Sequence, residues 1–337
     1  MKDHDKVLLA HGGGGELSYR LIKDLLLPTF DNPVLKELDD AARLSSKNKR
    51  LAFSTDSYVV KPLFFPGGDI GKLAVCGTIN DLAMVGAEPL YMSASLIIEE
   101  GFSLNTLKKV INSMERVARQ TGIEIVTGDT KVVERGSLDR LFINTAGIGS
   151  IDADLDISGN NARVGDRIVI SGTIGDHGIA VLSQREGFQF ESKLMSDCAP
   201  LNNLVSRMVK ESNNIHVLRD PTRGGVVAVL NEIAFQSEME MLIEEKAIPV
   251  KDEVRAACEM LGLDPLHVPN EGRLIAFVAE KDAHSVLEAM RDDPLGKDAA
   301  IIGEVIGRNR PRVLLETLIG ARRILFLPRG ALLPRLC

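Results

Sequence analysis

Residues 54–83 read STDSYVVKPLFFPGGDIGKLAVCGTINDLA, and this stretch decides the fold of the first half of the chain. It opens inside Leu51–Val60, whose side chains alternate as they do along a strand. Pro66-Gly67-Gly68 then breaks the chain. From Asp69 to Val85, apolar residues recur at Ile70, Leu73, Ala74, Ile79, Leu82 and Ala83, the spacing of a helix. Beyond it, Tyr91–Ile98 predicts a strand and Leu104–Gln120 an amphipathic helix with Ser103 as its N-cap. Ile123–Thr127 and Leu141–Ile148 predict two further strands. The first unit therefore runs in a β-α-β-α-β-β-like order. Upstream, residues 1–46 hold a glycine run and a polar-rich helix and read as an arm.

A polar, Gly/Asn-rich junction around Ala153–Arg163 separates this unit (47–155) from a second one (160–328). There, strands are expected at Arg167–Ser171, Met239–Ile243, Arg273–Val278, Ile301–Val305 and between Arg312 and Leu327. Helices are expected at Gly178–Arg185, Leu201–Glu211, Gly225–Gln236 and Ala283–Met290. The class is α+β, with two α/β domains. The last nine residues, 329–337 (RGALLPRLC), carry Gly330 and Pro334, which disfavour a continuing helix. They read as a mobile tail.

A chain of 337 residues suits about two domains. Its 45% hydrophobic and 26% charged residues are those of a globular protein with a core in each half. Net charge is −7, with no basic block, and tryptophan is absent, which excludes nucleic acid as the main partner. No stretch approaches the roughly 20 apolar residues of a membrane span, and the N-terminus lacks a signal-peptide core. Cys76, Cys198, Cys258 and Cys337 are scattered, with no Cys-x-x-Cys pair, so neither zinc nor a disulfide framework is indicated. Cys76 and Cys258 read as core residues, His177 and His216 as structural or surface. The expected setting is the reducing cytoplasm.

Four short motifs carry carboxylates: Ser54-Thr55-Asp56, Asn80-Asp81, Thr127-Gly128-Asp129-Thr130-Lys131 and Asp220-Pro221-Thr222-Arg223-Gly224-Gly225. Each alone reads as a cap or turn. Together, beside glycine, they suit Mg²⁺, which takes a few carboxylates plus phosphate oxygens and water. Asp129 is expected just beyond a strand end. Lys131, two residues on, shares its face on a strand and would stabilise charge in phosphoryl transfer. His11-Gly12-Gly13-Gly14-Gly15 could fold over phosphates, or be a flexible link; no Gly-Lys-Ser/Thr follows, so it is not a P-loop. Ser171–Gly178 could offer amides to an anion or simply make a tight turn. Glu271, in Asn270-Glu271-Gly272, could act as a base. Cys337 offers reach: a thiol on a free tail can visit two sites, although a cysteine in that position is commonly inert.

These motifs, with Pro334-Arg335-Leu336-Cys337, resemble the HypE family of hydrogenase maturation factors. That family sits in the superfamily of aminoimidazole ribonucleotide synthetase and selenophosphate synthetase, and the resemblance covers essentially the whole chain. It implies a homodimer whose N-terminal domains join into a β-barrel, with the C-terminal α/β domains outside and ATP between domains. It implies Mg²⁺ on Asp56, Asp81, Asp129 and Asp220. The nucleotide would meet His11, Gly12, Gly13, Gly14, Gly15, Thr55, Asn80, Gly128, Thr130, Arg223, Gly224 and Gly225. Cys337, Lys131 and Glu271 would be catalytic. The implied activity is ATP-dependent dehydration of an S-carbamoyl group on Cys337 to a thiocyanate. HypF would load the carbamoyl group and a HypC–HypD complex would accept the cyanide for [NiFe] hydrogenase. A selenophosphate synthetase would carry a reactive residue near its N-terminus, but no cysteine precedes Cys76. A non-catalytic docking scaffold would not need the Asp and Lys motifs.

Overall fold

The computed structural model describes residues 11, 15–30, 32–46, 49–187, 194–327 and 335–337. The glycine run at 12–14 and the tail residues 328–334 lie outside this set. The arm forms α1 (Glu16–Leu21), a π-helical turn (Ile22–Leu26) and α2 (Leu27–Phe30). Its last residues are not an appendage to the first domain, because β1 (Ala42–Ser46) pairs antiparallel with β2 (Lys49–Tyr58). A two-stranded hairpin of β3 (Phe64–Phe65) and β4 (Gly68–Asp69) leads into α3 (Ile70–Met84). Asp69 caps that helix, its carboxylate accepting from the amides of Gly71 and Lys72. There follow β5 (Ala87–Glu99), α4 (Leu104–Thr121), β6 (Glu124–Val133) and β7 (Leu141–Ile151). Ser103 caps α4 as its sequence predicts.

The first sheet runs β1-β2-β7-β5-β6. Side chains alternate across it. One face packs on α3 and α4 through Tyr58, Ile143 and Leu141. The other face carries Phe53, Ile148 and Tyr91 on one cross-strand rung, all exposed. At its edge, β6 continues through Gly128-Asp129-Thr130-Lys131, so Asp129 lies within a strand and not beyond its end. An edge strand with solvent on its outward faces lacks the apolar alternation by which its length could be read. Gly128 is required there, because a Cβ would sit 2.1 Å from the Ala94 carbonyl oxygen.

The second domain holds β8 (Arg167–Ile170), α5 (Asp176–Glu186), α6 (Asn202–Glu211), β9 (Ile215–Arg219), α7 (Gly225–Ser237), β10 (Met239–Glu244) and α8 (Asp252–Leu261). It closes with β11 (Ile275–Val278), α9 (Ala283–Arg291), β12 (Ala300–Arg308), β13 (Arg312–Glu316) and β14 (Arg322–Leu325). Its sheet runs β14-β13-β10-β12-β8-β11-β9. α7 covers one face, and α6 with α9 the other. β9 is absent from the sequence reading. α3 is nearly all buried because it faces its own sheet and also α6 and β9 of the second domain. That double contact forms the floor of a cleft between domains. Among the described residues, no helix is long and apolar enough to cross a membrane.

Candidate active site

Carboxylates from four elements meet at this floor. Asp56 lies on β2 opposite Thr145 of β7, whose hydroxyl is buried against α3, so Asp56 points to the α3 side. Ser54, two residues earlier on the same face, donates to Asp81 of α3. Asp220 follows the buried strand β9, and Asp40 precedes β1. Burial, then Asp220, Asp56 and Asp40, push the Asp81 carboxyl well above the usual range. Burial first, with Asp56 adding to it and Arg219 opposing, lifts Asp220 to about 6. Arg219 sits beneath, its guanidinium 2.9 Å from Asp40 and 3.9 Å from Asp39. Carboxylates that raise one another in this way attract a cation.

Asp40 is absent from the sequence reading. The adjacent pair Asp39-Asp40 ahead of a strand was the available signal. Among the described residues, its Oδ2 is buried with no hydrogen-bond partner. These groups fit Mg²⁺ by donor type and charge. No three of the described His, Cys, Asp or Glu side chains are gathered closely enough to hold a metal ion alone. Such an arrangement suits a cation that arrives with phosphate oxygens.

Glu271 and Cys337 stand beside this cluster. Glu271 is 3% exposed and its Oε1 lacks a partner among the described residues. Its backbone is fixed from both sides: its N–H donates to Asp197 Oδ1 (3.1 Å), and its carbonyl accepts from Asn80 Nδ2 (3.2 Å). Asn80 also bonds the Ala199 carbonyl and the Leu201 amide. Its amide therefore ties the two domains together and positions Glu271. Burial first, then Cys198, Asp220 and Asp56, hold the Glu271 carboxyl well above the usual range. Burial first, then Glu271, Asp56 and Asp220 against Arg223, push the Cys337 thiol up to about 12. The guanidinium of Arg223, at the cleft mouth, faces Cys337 and the carboxylates Asp56, Asp81 and Glu271, which raise its pKa against burial. The turn after it needs glycine. Gly224 and Gly225 have φ of 78° and 64°, and a Cβ on Gly225 would meet the Leu266 carbonyl at 2.6 Å. α7 starts there, its first amide, Gly225 N–H, donating to the Thr222 carbonyl at 3.0 Å.

The last three residues of the chain lie in the cleft. Leu336 is 2% exposed within the first domain's core, and its carbonyl accepts from His177 Nε2 at 2.8 Å. His177 is thus a buried contact of the tail, not a surface residue. Its place at the start of α5, after a turn whose other amides bond within the protein, hid that role. The Ile174, Gly175 and Gly178 amides bond Pro249 O, Asn270 Oδ1 and Pro269 O, so Ser171–Gly178 is a tight turn. His216 is structural, paired with Asp166 at 2.9 Å.

Other expected site residues stand apart within one chain. Asp129 and Lys131 pair with each other at 2.7 Å on β6. From Asp56, the rung runs through Thr145 and Ala94 to Gly128. That is three strand spacings, roughly 14 Å. Alternation puts Asp129 and Lys131 on the face opposite Asp56, together with the exposed Thr55. Thr130 follows Asp129 on the same exposed strand. His11 and Gly15 are described at the arm's start, and Gly12, Gly13 and Gly14 lie outside the described residues.

Comparison with known proteins places these features in context. Residues 38–151 match the AIR synthase related protein N-terminal domain, and residues 163–316 its C-terminal domain. The carbamoyl dehydratase HypE of Bradyrhizobium diazoefficiens is 52% identical over 330 residues, covering 98% of this chain and 95% of that protein. The crystal structure of hydrogenase maturation protein HypE in complex with ATP superposes with a TM-score of 0.83 at 50% identity, covering 98% of this chain and all of that one. A HypE–HypF complex gives a TM-score of 0.87 at 49% identity, over 91% of this chain and 99% of that one.

Proposed function

The chain belongs to the HypE carbamoyl dehydratases, built on the two AIR synthase related domains, and from that premise we propose how its own residues divide the work. It is an ATP-dependent enzyme of hydrogenase maturation, and HypF is its partner. The observation that carries our assignment is the placement of Cys337 among Glu271, Arg223, Asp56 and Asp220.

We assign Cys337 as the carrier of the carbamoyl group. A thiol whose pKa is pushed up to about 12 is protonated in the cleft and a poor nucleophile there. Loading by HypF therefore takes place with the tail outside. Once carbamoylated, the sulfur has no ionisable proton, and it enters the cleft as a neutral group. The problem inside is that an amide oxygen leaves poorly. Phosphoryl transfer from ATP to that oxygen makes it a leaving group, and a base removes the N–H protons as phosphate departs. The products are the thiocyanate, ADP and phosphate. Glu271 is placed to be the base, since burial first, then Cys198, Asp220 and Asp56, raise the proton affinity of its carboxyl. Asp40, Asp56, Asp81 and Asp220 would hold Mg²⁺, whose chemistry is to neutralise phosphate charge. Gly224 and Gly225, with the α7 amides and Arg223, would receive phosphate oxygens.

Lys131 completes the site from a second copy in this reading. It lies on the exposed apolar sheet face with Phe53, Tyr91 and Ile148, which is the surface expected of a homodimer. Joining two such faces would form the barrel and carry Asp129 and Lys131 to the other subunit's cleft. Cyanide would then pass to a HypC–HypD complex, in the reducing cytoplasm that keeps Cys337 a thiol. ADP release should follow loading of the tail, and should stop in a Phe53→Asp chain that sediments as a monomer. A monomer with undiminished, load-dependent ADP release would remove the second copy from the site. Release of ADP at the same rate without loading would remove the coupling.

Asp81 offers a further check. Asp81→Asn relieves repulsion at the cluster, so the ligand-free protein should melt higher, by roughly 2 °C. The extra stability that Mg²⁺ with ATP confers should vanish. Differential scanning fluorimetry reads both; retained stabilisation by Mg²⁺ and ATP would exclude Asp81 as a ligand.

A further inference from the structure

The tail is gripped at points that the dehydration itself does not use. Val59 N–H donates to the Cys337 carbonyl (3.3 Å) and Lys61 N–H to the Arg335 carbonyl (3.2 Å), extending β2 by a short antiparallel pairing. Backbone bonds of this kind accept many sequences. The side chains are more selective. Arg335 donates from Nη1 to Asp139 Oδ2 at 2.8 Å and from Nε to the Val59 carbonyl at 2.9 Å, with its guanidinium 5.8 Å over the Phe142 ring. Asp139 also takes Lys61 Nζ at 3.0 Å. Arg335 and Lys61 together hold its carboxyl below the usual range. Arg335 itself has φ of 57°, a conformation that a non-glycine residue keeps only when its surroundings enforce it.

Leu336 is read differently. Its side chain fills an apolar core, so only an aliphatic residue of its size suits the place. Its carbonyl faces His177, whose protonation pattern is set from behind. Cys198 N–H donates to Ser196 Oγ (3.0 Å), which leaves the Ser196 hydroxyl to donate to His177 Nδ1 (2.8 Å). That in turn leaves a proton on Nε2 for the Leu336 carbonyl. Burial keeps the ring neutral, lowering its pKa to about 4. Across the domains, Arg185 Nε donates to the Lys61 carbonyl at 2.8 Å and its Nη2 to the Arg335 carbonyl.

We propose that Asp139, His177 and the 59–61 strand edge form a latch that reads Arg335 and Leu336 and so sets where Cys337 sits in the cleft. These are positioning residues. Their part in dehydration rests on the reading that Cys337 carries the reacting group, whereas their hold on the tail does not. Iodoacetamide tests the hold directly in the full chain, because Cys76, Cys198 and Cys258 are buried and only Cys337 is partly accessible. Asp139→Ala and Arg335→Ala should each speed alkylation of Cys337 about fivefold, as the docked population falls. The double variant should react no faster than the faster single one. His177→Leu should also expose the thiol, and His177→Gln, which retains an amide donor, should restore protection. In each loosened variant, dehydration of a loaded tail should slow while loading by HypF is undiminished. An unchanged alkylation rate in Asp139→Ala, or independent effects in the double variant, would overturn the latch. Failure of every variant and of the parent chain to dehydrate a loaded tail would instead overturn the carrier role of Cys337, and the alkylation contrast would still decide the latch.

Discussion

A Glu271→Gln chain is expected to accept the carbamoyl group from HypF and keep it. The substitution is nearly isosteric, so the packing around residue 271 and its backbone bonds to Asp197 and Asn80 persist. It also replaces a buried carboxyl, held well above its usual range, by a neutral amide. Stability should therefore hold or rise slightly, which separates loss of chemistry from loss of fold. What disappears is the proton acceptor next to Cys337. General bases contribute about 10²–10⁴-fold, so dehydration should slow about a thousandfold while carbamoyl adduct accumulates on the tail. Single-turnover mass analysis after addition of ATP measures this. Conversion at the parent rate would take Glu271 out of the proton transfer and leave Lys131 as the remaining candidate base.

Removing the sulfur should have an absolute effect. Cys337→Ala deletes one atom from a half-buried residue whose neighbours Arg335 and Leu336 make the stronger contacts, so folding and nucleotide binding should survive. Neither carbamoyl nor cyano adduct should form, and ADP release should lose its dependence on HypF and carbamoyl phosphate. The other three thiols cannot substitute. Cys76 and Cys198 are buried in the first domain's core, and Cys258 lies under α5. An adduct on the Ala variant would place the carrier elsewhere in the chain.

How much of this was legible in the sequence depends on the range of the contacts involved. α3 could be read because its cap, Asp69, and its apolar spacing are local. The strand β9 could not, because Ile215–Arg219 contains His216 and Arg219, and their burial depends on Asp166, Asp39 and Asp40 far away in the chain. The carboxylate motifs at Asp56, Asp81 and Asp220 lie near one another in the fold. Asp40 was missed because the pair Asp39-Asp40 matches none of the four carboxylate motifs, and its burial depends on Arg219, far along the chain. Asp129 and Lys131 were expected beside them, yet the strand order sets them three strands away on the opposite face. Spacing along a chain does not report which strands become neighbours. The tail gave the sharpest contrast. Pro334 argues against a helix, and from that a free end was inferred. Its last three residues dock through Val59, Lys61, Asp139 and His177, none of them adjacent in sequence.

The central claim is that one sulfur carries the group into the cleft between domains and leaves it as a nitrile. The direct measurement is the mass of the peptide ending in Cys337. The full chain is loaded by HypF with carbamoyl phosphate, freed of nucleotide, and divided. One half then receives ATP with Mg²⁺ and the other none. The account predicts a carbamoyl mass on Cys337 in the second half and a thiocyanate mass on the same residue in the first. A carbamoyl mass unchanged by ATP, or a nitrile on any other residue, would contradict it.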